Sequence, residues 1–466
     1  METIFPHFRA EMNLNESSRN SPFSPNTQQQ FYPGNNIVDI LTTLAHSNQI
    51  CGNLLTQSES LKHEISKKYE ERTLCSNSLI PAEIQHLHSQ QIQSCLFELE
   101  TKFHKLKTQV MIQIKNSREL LKSVMQKLVE QLVDWLIRQK EVSCGPRATI
   151  KKHYDLLDGM DQQFEECGRQ ISFLINVVDQ LHSIIDSSTP EIYAKLQRYR
   201  SELIQNARHF VWQSLIIAVQ PPVVLIKCRG SDSYRSTRFP CKTEVRLLGG
   251  EALGVRNQAS QVKVEIISEE IARKIQQDPC QPATSEPTFH LIYNESRFQI
   301  DSPQPPSVVP VCRASFDRIR LVENAVATKR AAVDTGAEER KGTRRSKVSS
   351  LRYYLAFKIE LTGHPYIVVG GYKLSLPVAA LVHSSLEAEA ALFWNRSFAE
   401  GTGILSAVPD NIPWDKVKNA LNLKFMSLIQ EPQDAKQLAA DPPEPRPLSE
   451  ENLEHLGRRL CVVDNM

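Results

Sequence analysis

The residues of this chain best placed to do chemistry are cations. A charged stretch free of aromatics runs from Thr328 to Ser350 and carries Lys329-Arg330, then Arg340-Lys341, Arg344-Arg345 and Lys347. Such clusters can contact phosphates, each Lys or Arg neutralising one and releasing counterions. Two basic clusters roughly ten residues apart also fit a bipartite nuclear import signal. A third reading, a solvated loop, stays open because long charged loops are often no more than that. Other reactive residue types do not converge. Gly249-Gly250-Glu251-Ala252-Leu253-Gly254 has the outline of a phosphate loop, yet no Lys-Ser/Thr follows it, and a hairpin turn is the simpler reading. His86 and His88 have no Cys near them in sequence and make a poor metal site. No Ser–His–Asp or paired-carboxylate set assembles. The expectation is a non-enzyme with no cofactor and no metal.

Composition bounds the rest. At 466 residues the chain has room for about two to four domains. Its longest apolar runs, such as Leu215 to Val219 and Val223 to Ile226, are too short to span a bilayer, and Pro221-Pro222 separates them. The N-terminus has no basic segment followed by an apolar one, so no secretory leader is expected. Ten Cys without a C-x-x-C pair argue for reduced, intracellular thiols. Net charge is only +2, but residues 221–370 hold 23 Lys+Arg against 16 Asp+Glu. A moderately basic region sits inside a mildly acidic chain.

The elements that must position those cations begin with one long helix. Apolar residues recur from Pro81 to Val142 at Ile92, Leu96, Leu99, Phe103, Leu106, Val110, Ile114, Leu121, Met125, Leu128, Leu132 and Trp135. Steps of three and four, with one longer gap across Asn116–Ser117 and no internal Gly or Pro, predict a helix roughly 90 Å long. Its full-length apolar stripe requires partners. Similar patterns precede it from Ile37 to Tyr69, interrupted by Gly52, and follow it from Ile150 to Ile185 and from Pro190 to Leu215. Short turns between helices imply antiparallel neighbours. Residues 37–219 therefore read as an elongated antiparallel four-helix bundle, with residues 1–36 a disordered N-terminal segment rich in Asn, Ser, Pro and Gln.

After Pro222 the period changes from 3.6 to 2. Strand-like segments are expected at Val223–Lys227, Lys242–Leu248, Gln261–Ile267, His290–Tyr293, Phe298–Ile300, Arg318–Leu321, Leu351–Leu361 and Pro365–Val369, a β-barrel or sandwich. Helical character returns at Leu386–Phe398, Asn411–Ile429 and Leu448–Leu460. The fold class is α+β multidomain, with residues 220–400 a β-rich domain and 401–466 a partial helical domain expected to pack on it.

This order of parts resembles the signal transducer and activator of transcription (STAT) family, and local residues agree. Leu132-Val133-Asp134-Trp135-Leu136-Ile137-Arg138-Gln139 is similar to the family's L-V-E-W-x-x-R-Q at the end of the second bundle helix. Ala218-Val219-Gln220-Pro221-Pro222 resembles its exit from the bundle, and Val245-Arg246-Leu247-Leu248 an early strand of the DNA-binding domain. Leu376-Pro377-Val378 with Ala391-Leu392-Phe393-Trp394-Asn395 matches that domain's end. Pro413-Trp414 and Leu453-Glu454-His455-Leu456-Gly457 resemble the linker domain.

The resemblance implies an immunoglobulin-like β-domain that touches double-stranded DNA as half-sites of a near-palindromic element. Aligned on the motifs, the family's Lys after R-L-L falls on Gly250, its Asn after L-P-V on His383, and an acidic contact near Ser349–Ser350. The candidate DNA contacts are then Arg246, Gly250, Lys341, Arg344, Arg345, Lys347 and His383, and the candidate import residues Lys329, Arg330, Arg340, Lys341, Arg344 and Arg345. The family continues into an SH2 domain and a phosphorylatable Tyr. This sequence shows no F-L-x-R strand and no Tyr after Tyr372, so it reads as a short form that could dimerise with a longer family member. Proteins binding through the bundle are the other expected partners, with no membrane. The competing reading is a scaffold acting through the bundle, whose β-domain does not read DNA.

Overall fold

A computed structural model of the protein describes residues 36–76, 81–143, 145–185, 190–228, 241–254, 260–281, 289–301, 310–323, 352–363, 367–381, 386–399, 408–429 and 446–459. The long amphipathic stretch forms α2 (Ala82–Val142), and Ile92, Leu96, Val110, Ile114, Leu121, Leu128, Leu132 and Trp135 all bury, as their three-and-four spacing requires. Three more helices complete the helical half: α1 (Ile37–Ser76), α3 (Arg147–Ile184) and α4 (Pro190–Ser214).

Polar contacts give their relative directions. Ser47 bonds Ser117 at 2.8 Å and Tyr69 donates to Glu100, so α1 and α2 run in opposite senses. Asn48 donates to Gln170 and Lys62 to the Ile184 carbonyl, so α3 runs with α1. His182 of α3 lies tilted against Tyr193 of α4 at 4.2 Å, and Arg200 pairs with Asp179, so the chain reverses again. Leu44, Leu121, Phe164, Leu174, Leu203 and Phe210 meet in one core, Phe164 and Phe210 stacking at 5.0 Å. Gly52 leaves α1 unbroken. A Cβ there would lie 3.1 Å from the Phe173 ring, so the glycine seats that side chain of α3. Lys62 caps the last carbonyls of α3, where a cation offsets the helix dipole. Past that height α1 continues for another 14 residues, about 20 Å, to Ser76, with α2 as its neighbour.

The fourth helix ends earlier than its periodicity predicts. Leu215–Val219 is not the last turn of a helix but strand β1. Leu215, Ile216, Ile217 and Ala218 are buried on every side, a demand that an amphipathic surface helix does not make and that β-branched residues meet well in a sheet.

Ten further strands follow: β2 (Val224–Cys228), β3 (Cys241–Leu247), β4 (Gln261–Ser268), β5 (Phe289–Ile292), β6 (Glu295–Arg297), β7 (Gln299–Asp301), β8 (Val311–Glu323), β9 (Tyr353–Thr362), β10 (Val368–Leu374) and β11 (Ala379–Leu381). One sheet runs β1-β3-β8-β2-β11, with β5 and β7 also pairing with β8; the second runs β10-β9-β4-β6. Inner faces alternate as period 2 dictates: Val262, Val264 and Ile266 of β4 bury, and Phe316 of β8 meets Phe357 of β9 edge-on at 6.1 Å. The chain changes sheet at Tyr293-Asn294, where Tyr293 takes φ 57° and the Asn294 side chain donates to the Val264 carbonyl. β8 is far longer than the Arg318–Leu321 segment expected, because its inward positions Cys312, Ala314 and Phe316 include small residues that a hydropathy reading passes over.

Helix α5 (Glu269–Gln277), also unforeseen, lays Ala272 and Ile275 on Ile267, Tyr354 and Tyr372. The remaining helices are α6 (Leu386–Phe398), α7 (Trp414–Ile429) and α8 (Glu450–Arg459). α6 touches β11, and both α6 and α7 reach α2 of the helical half.

Candidate nucleic-acid interface and the seam behind it

Lys329, Arg330, Arg340, Lys341, Arg344, Arg345, Lys347 and His383 all lie outside the described residues. Of the expected DNA contacts, the structure places Arg246 and Gly250, and it places both inside. Arg246 sits on β3 with Val245 and Leu247, a strand buried on both faces, so alternation gives it no route to solvent. Its side chain is fully enclosed. Its Nε and Nη2 donate to Asp161 Oδ2 at 3.1 and 2.8 Å, and Nη2 also donates to Asp158 at 2.8 Å. Gly250 packs on Cys312, whose Cβ would lie 2.7 Å from an added Cβ. This geometry corrects the expectation for both: they belong to the frame behind any DNA-facing loop.

That frame is a seam between α3 and the turn after β3. Tyr154, Asp158, Asp161 and Glu165 follow one another on α3 at steps of four, three and four, forming one polar stripe. Tyr154 donates to Glu244 at 2.6 Å, and Glu244 accepts from Arg313 and Ser315. Asp161 Oδ1 accepts the Gly249 N–H at 2.9 Å. Glu165 takes the N–H groups of Glu251 and Ala252 at 2.9 and 2.7 Å. Two carboxylates of the helix thus satisfy the backbone of a turn that no sheet ladder serves.

The electrostatics follow from burial. Desolvation pushes the carboxyls of Asp161 and Glu165 upward, opposed by Arg246 and the Gly249 N–H in the first case and by the two turn N–H groups in the second. Burial with Glu244 alongside raises Tyr154 to about 12, keeping its hydroxyl a donor. Asp161 and Glu165 are held by partners and position backbone, while Asp158 keeps its carboxylate half exposed. The sequence did carry the signal, since Asp161 and Glu165 interrupt the apolar stripe of Leu157, Phe164 and Ile171, but composition alone does not say what they bond.

Two further ties fix the halves. Gln139 of α2 donates to the carbonyls of Ile217 and Ala218 at 2.9 and 3.0 Å. Gln220 donates to Gln139 and accepts the Leu376 N–H, joining the helix end to the strand exit and the β10–β11 connection. Arg396 of α6, buried, donates to the Pro377 and Pro221 carbonyls, so both proline motifs converge on one guanidinium. Elsewhere, His88 Nδ1 lies 3.5 Å from Cys75 Sγ, a thiol the sequence spacing hid, yet no group of three metal-ligating residues occurs among the described residues. No helix among them is long and apolar enough to cross a membrane.

Comparison with known proteins agrees with the motifs. Residues 63–212 match a family model described as the N-terminal region of signal transducer and activator of transcription b. A Caenorhabditis elegans protein, signal transducer and activator of transcription b, is 28% identical over 337 residues, covering 71% of this chain and 53% of that protein. The human signal transducer and activator of transcription 6 is 26% identical over 291 residues, covering 61% of this chain and 31% of its own length. The chain thus spans about half or less of these curated relatives.

Proposed function

For a chain that belongs to the signal transducer and activator of transcription family, we propose a DNA-binding regulator of transcription, working between cytoplasm and nucleus in signal-dependent gene control. In this reading residues 37–219 are an elongated four-helix bundle, 220–400 an immunoglobulin-like DNA-reading domain and 401–466 part of a linker domain. The observation that carries it is the seam: Asp161 and Glu165 hold the turn after β3 in place from the helical side. A reader of a fixed helical pitch needs its loops held rigidly relative to one another. The local excess of cations in residues 221–370 supports phosphate contact.

Titration of the full chain on a near-palindromic TTC–GAA duplex and on a scrambled duplex, at several salt concentrations, tests this. Preference for the element, with affinity falling as salt rises, supports DNA reading. Equal binding to both duplexes, or none, favours the scaffold reading. That second reading has its own observation: Leu87, Phe97 and Ile112 of α2 are more than half exposed, apolar surface a partner could cover.

A further inference from the structure

Beyond the height where Lys62 caps α3, α1 and α2 run on together as a two-helix arm. Near the end of that arm stand two residues of types that ligate zinc. Cys75 of α1 is half-buried and His88 of α2 is exposed, and the Cys75 Sγ lies 3.5 Å from the imidazole Nδ1. Neighbouring contacts hold the two in register. Gln85 Nε2 donates to the Cys75 and Ser76 carbonyls at the end of α1, and further back Tyr69 donates to Glu100. Tetrahedral zinc takes sulfur at ~2.3 Å and imidazole nitrogen at ~2.0–2.1 Å, which sets two such ligands about 3.5 Å apart. The observed separation is that edge of the tetrahedron.

A closed structural zinc site has four ligands, and this chain offers two. No third metal-ligating residue joins them among the described residues. Glu71, one turn before Cys75, is taken up by Lys68. Cys95 lies about 10 Å further along α2 from His88. The connecting Asn77, Ser78, Leu79 and Ile80 are not zinc-ligating types. We propose that Cys75 and His88 form half of a Zn²⁺ site that a second copy of this chain completes, joining two arms about a twofold axis through the ion. Each copy then gives one thiolate and one imidazole. Two thiolates cancel the charge of the ion, so the shared centre is neutral and loses little by being covered. The side chains beside it suit such a cover. Leu74 adjoins Cys75, Leu87 adjoins His88, and Ile84 precedes His88 by one turn; all three are more than half exposed. A twofold contact sets this apolar patch against its own copy. The inference goes beyond DNA reading and does not depend on it.

The test uses the full chain, reduced and stripped of metal with a chelator, and adds Zn²⁺ alone. Sedimentation velocity should show zinc shifting the chain towards dimer, and a chelator should reverse the shift. Cys75→Ser and His88→Gln should each raise the zinc concentration needed for half-dimerisation at least ~10-fold, since even an outer-sphere partner of a zinc ligand is worth that much. Circular dichroism should show both variants as helical as the parent, because they change side chains at the surface. His86→Gln, about 200° round α2 from His88, should keep the zinc response. The parent dimer should hold one Zn²⁺ more than Cys75→Ser, a difference that subtracts any ion on the other cysteines. Co²⁺ in place of zinc should give the visible bands of a tetrahedral thiolate site in the parent and in neither variant. An association state that zinc leaves unchanged, a zinc dimer that survives both substitutions, or one extra ion on each monomer overturns the proposal.

Discussion

Arg246 and Asp161 form a two-bond ion pair in which the guanidinium has no exposed surface and the carboxylate almost none. Such a pair costs desolvation on both sides, and its loss is asymmetric: removing one partner strands the other. Asp161→Asn should therefore destabilise the protein by about 3–5 kcal/mol in urea unfolding. Asp158→Asn, at a half-exposed carboxylate, should cost under about 1 kcal/mol. Arg246→Met combined with Asp161→Leu should cost less than the two single changes summed, with the orphaned Gly249 N–H limiting the recovery.

His153 predicts a pH dependence. Its ring stacks on Trp135 at 4.4 Å and bonds the Trp135 carbonyl, while the Trp135 indole donates to the His153 carbonyl. Burial lowers the ring to about 4 in the folded chain, against an unfolded value near 6.5. The unfolded state thus binds the proton first. Stability from this site is complete above about pH 6.5 and drains as pH falls towards about 4, by roughly 3 kcal/mol in all. Urea midpoints for the parent and His153→Gln at pH 7 and pH 4.5 check it: the parent should lose more between them.

Two glycines should respond in opposite directions to alanine. Gly249 has φ 71°, and its Cβ would meet the Phe164 carbonyl group at 2.9 Å, so Gly249→Ala should cost at least ~2 kcal/mol. Gly159, inside α3, has nothing within 4 Å of an added Cβ. There Gly159→Ala should stabilise by roughly 0.5–1 kcal/mol. Thermal melts of the two variants beside the parent decide both.

Much of this architecture is legible in the sequence and some is not, for identifiable reasons. Helical periodicity places α2 and α3 because a stripe recurring over about ten turns has no competing reading. Strand β1 escapes it because Leu215–Val219 continues the apolar phase of α4, and only pairing with β3 reveals the change of period. Arg246 lies on the strand expected at Lys242–Leu248, yet as a candidate DNA contact it is expected to face outward. Its burial depends on Asp158 and Asp161, some 85 residues earlier, which no local pattern connects. His88 reads as a poor metal ligand because Cys75 stands 13 residues earlier, on the far side of the turn between α1 and α2.

The basic stretch makes a further prediction. Changing Lys341, Arg344, Arg345 and Lys347 together to Ala should weaken DNA binding similarly on specific and random duplexes. The slope of log affinity against log salt should flatten by up to about 0.9 for each phosphate no longer neutralised. If the stretch serves nuclear import instead, the same variant should keep its affinity and fail to accumulate in nuclei, which fluorescence imaging of a tagged chain would show.

The polar contacts at Ser47, Ser117, Gln113, Asn48 and Gln170 occur at one height of the helical core. Leucine packs nearly as well after a helix slides by a turn, whereas a hydroxyl pair 2.8 Å apart does not survive such a slip. The layer therefore works as an index mark, admitting one axial setting of α1 against α2 and α3. Everything beyond it inherits that setting, including the stretch of α1 and α2 that outruns α3 at Lys62. Its far end then stands at a constant distance from the turn held by Asp161 and Glu165. On the proposed reading, a partner docked at one end and DNA met at the other would be kept at a measured separation, as on a ruler.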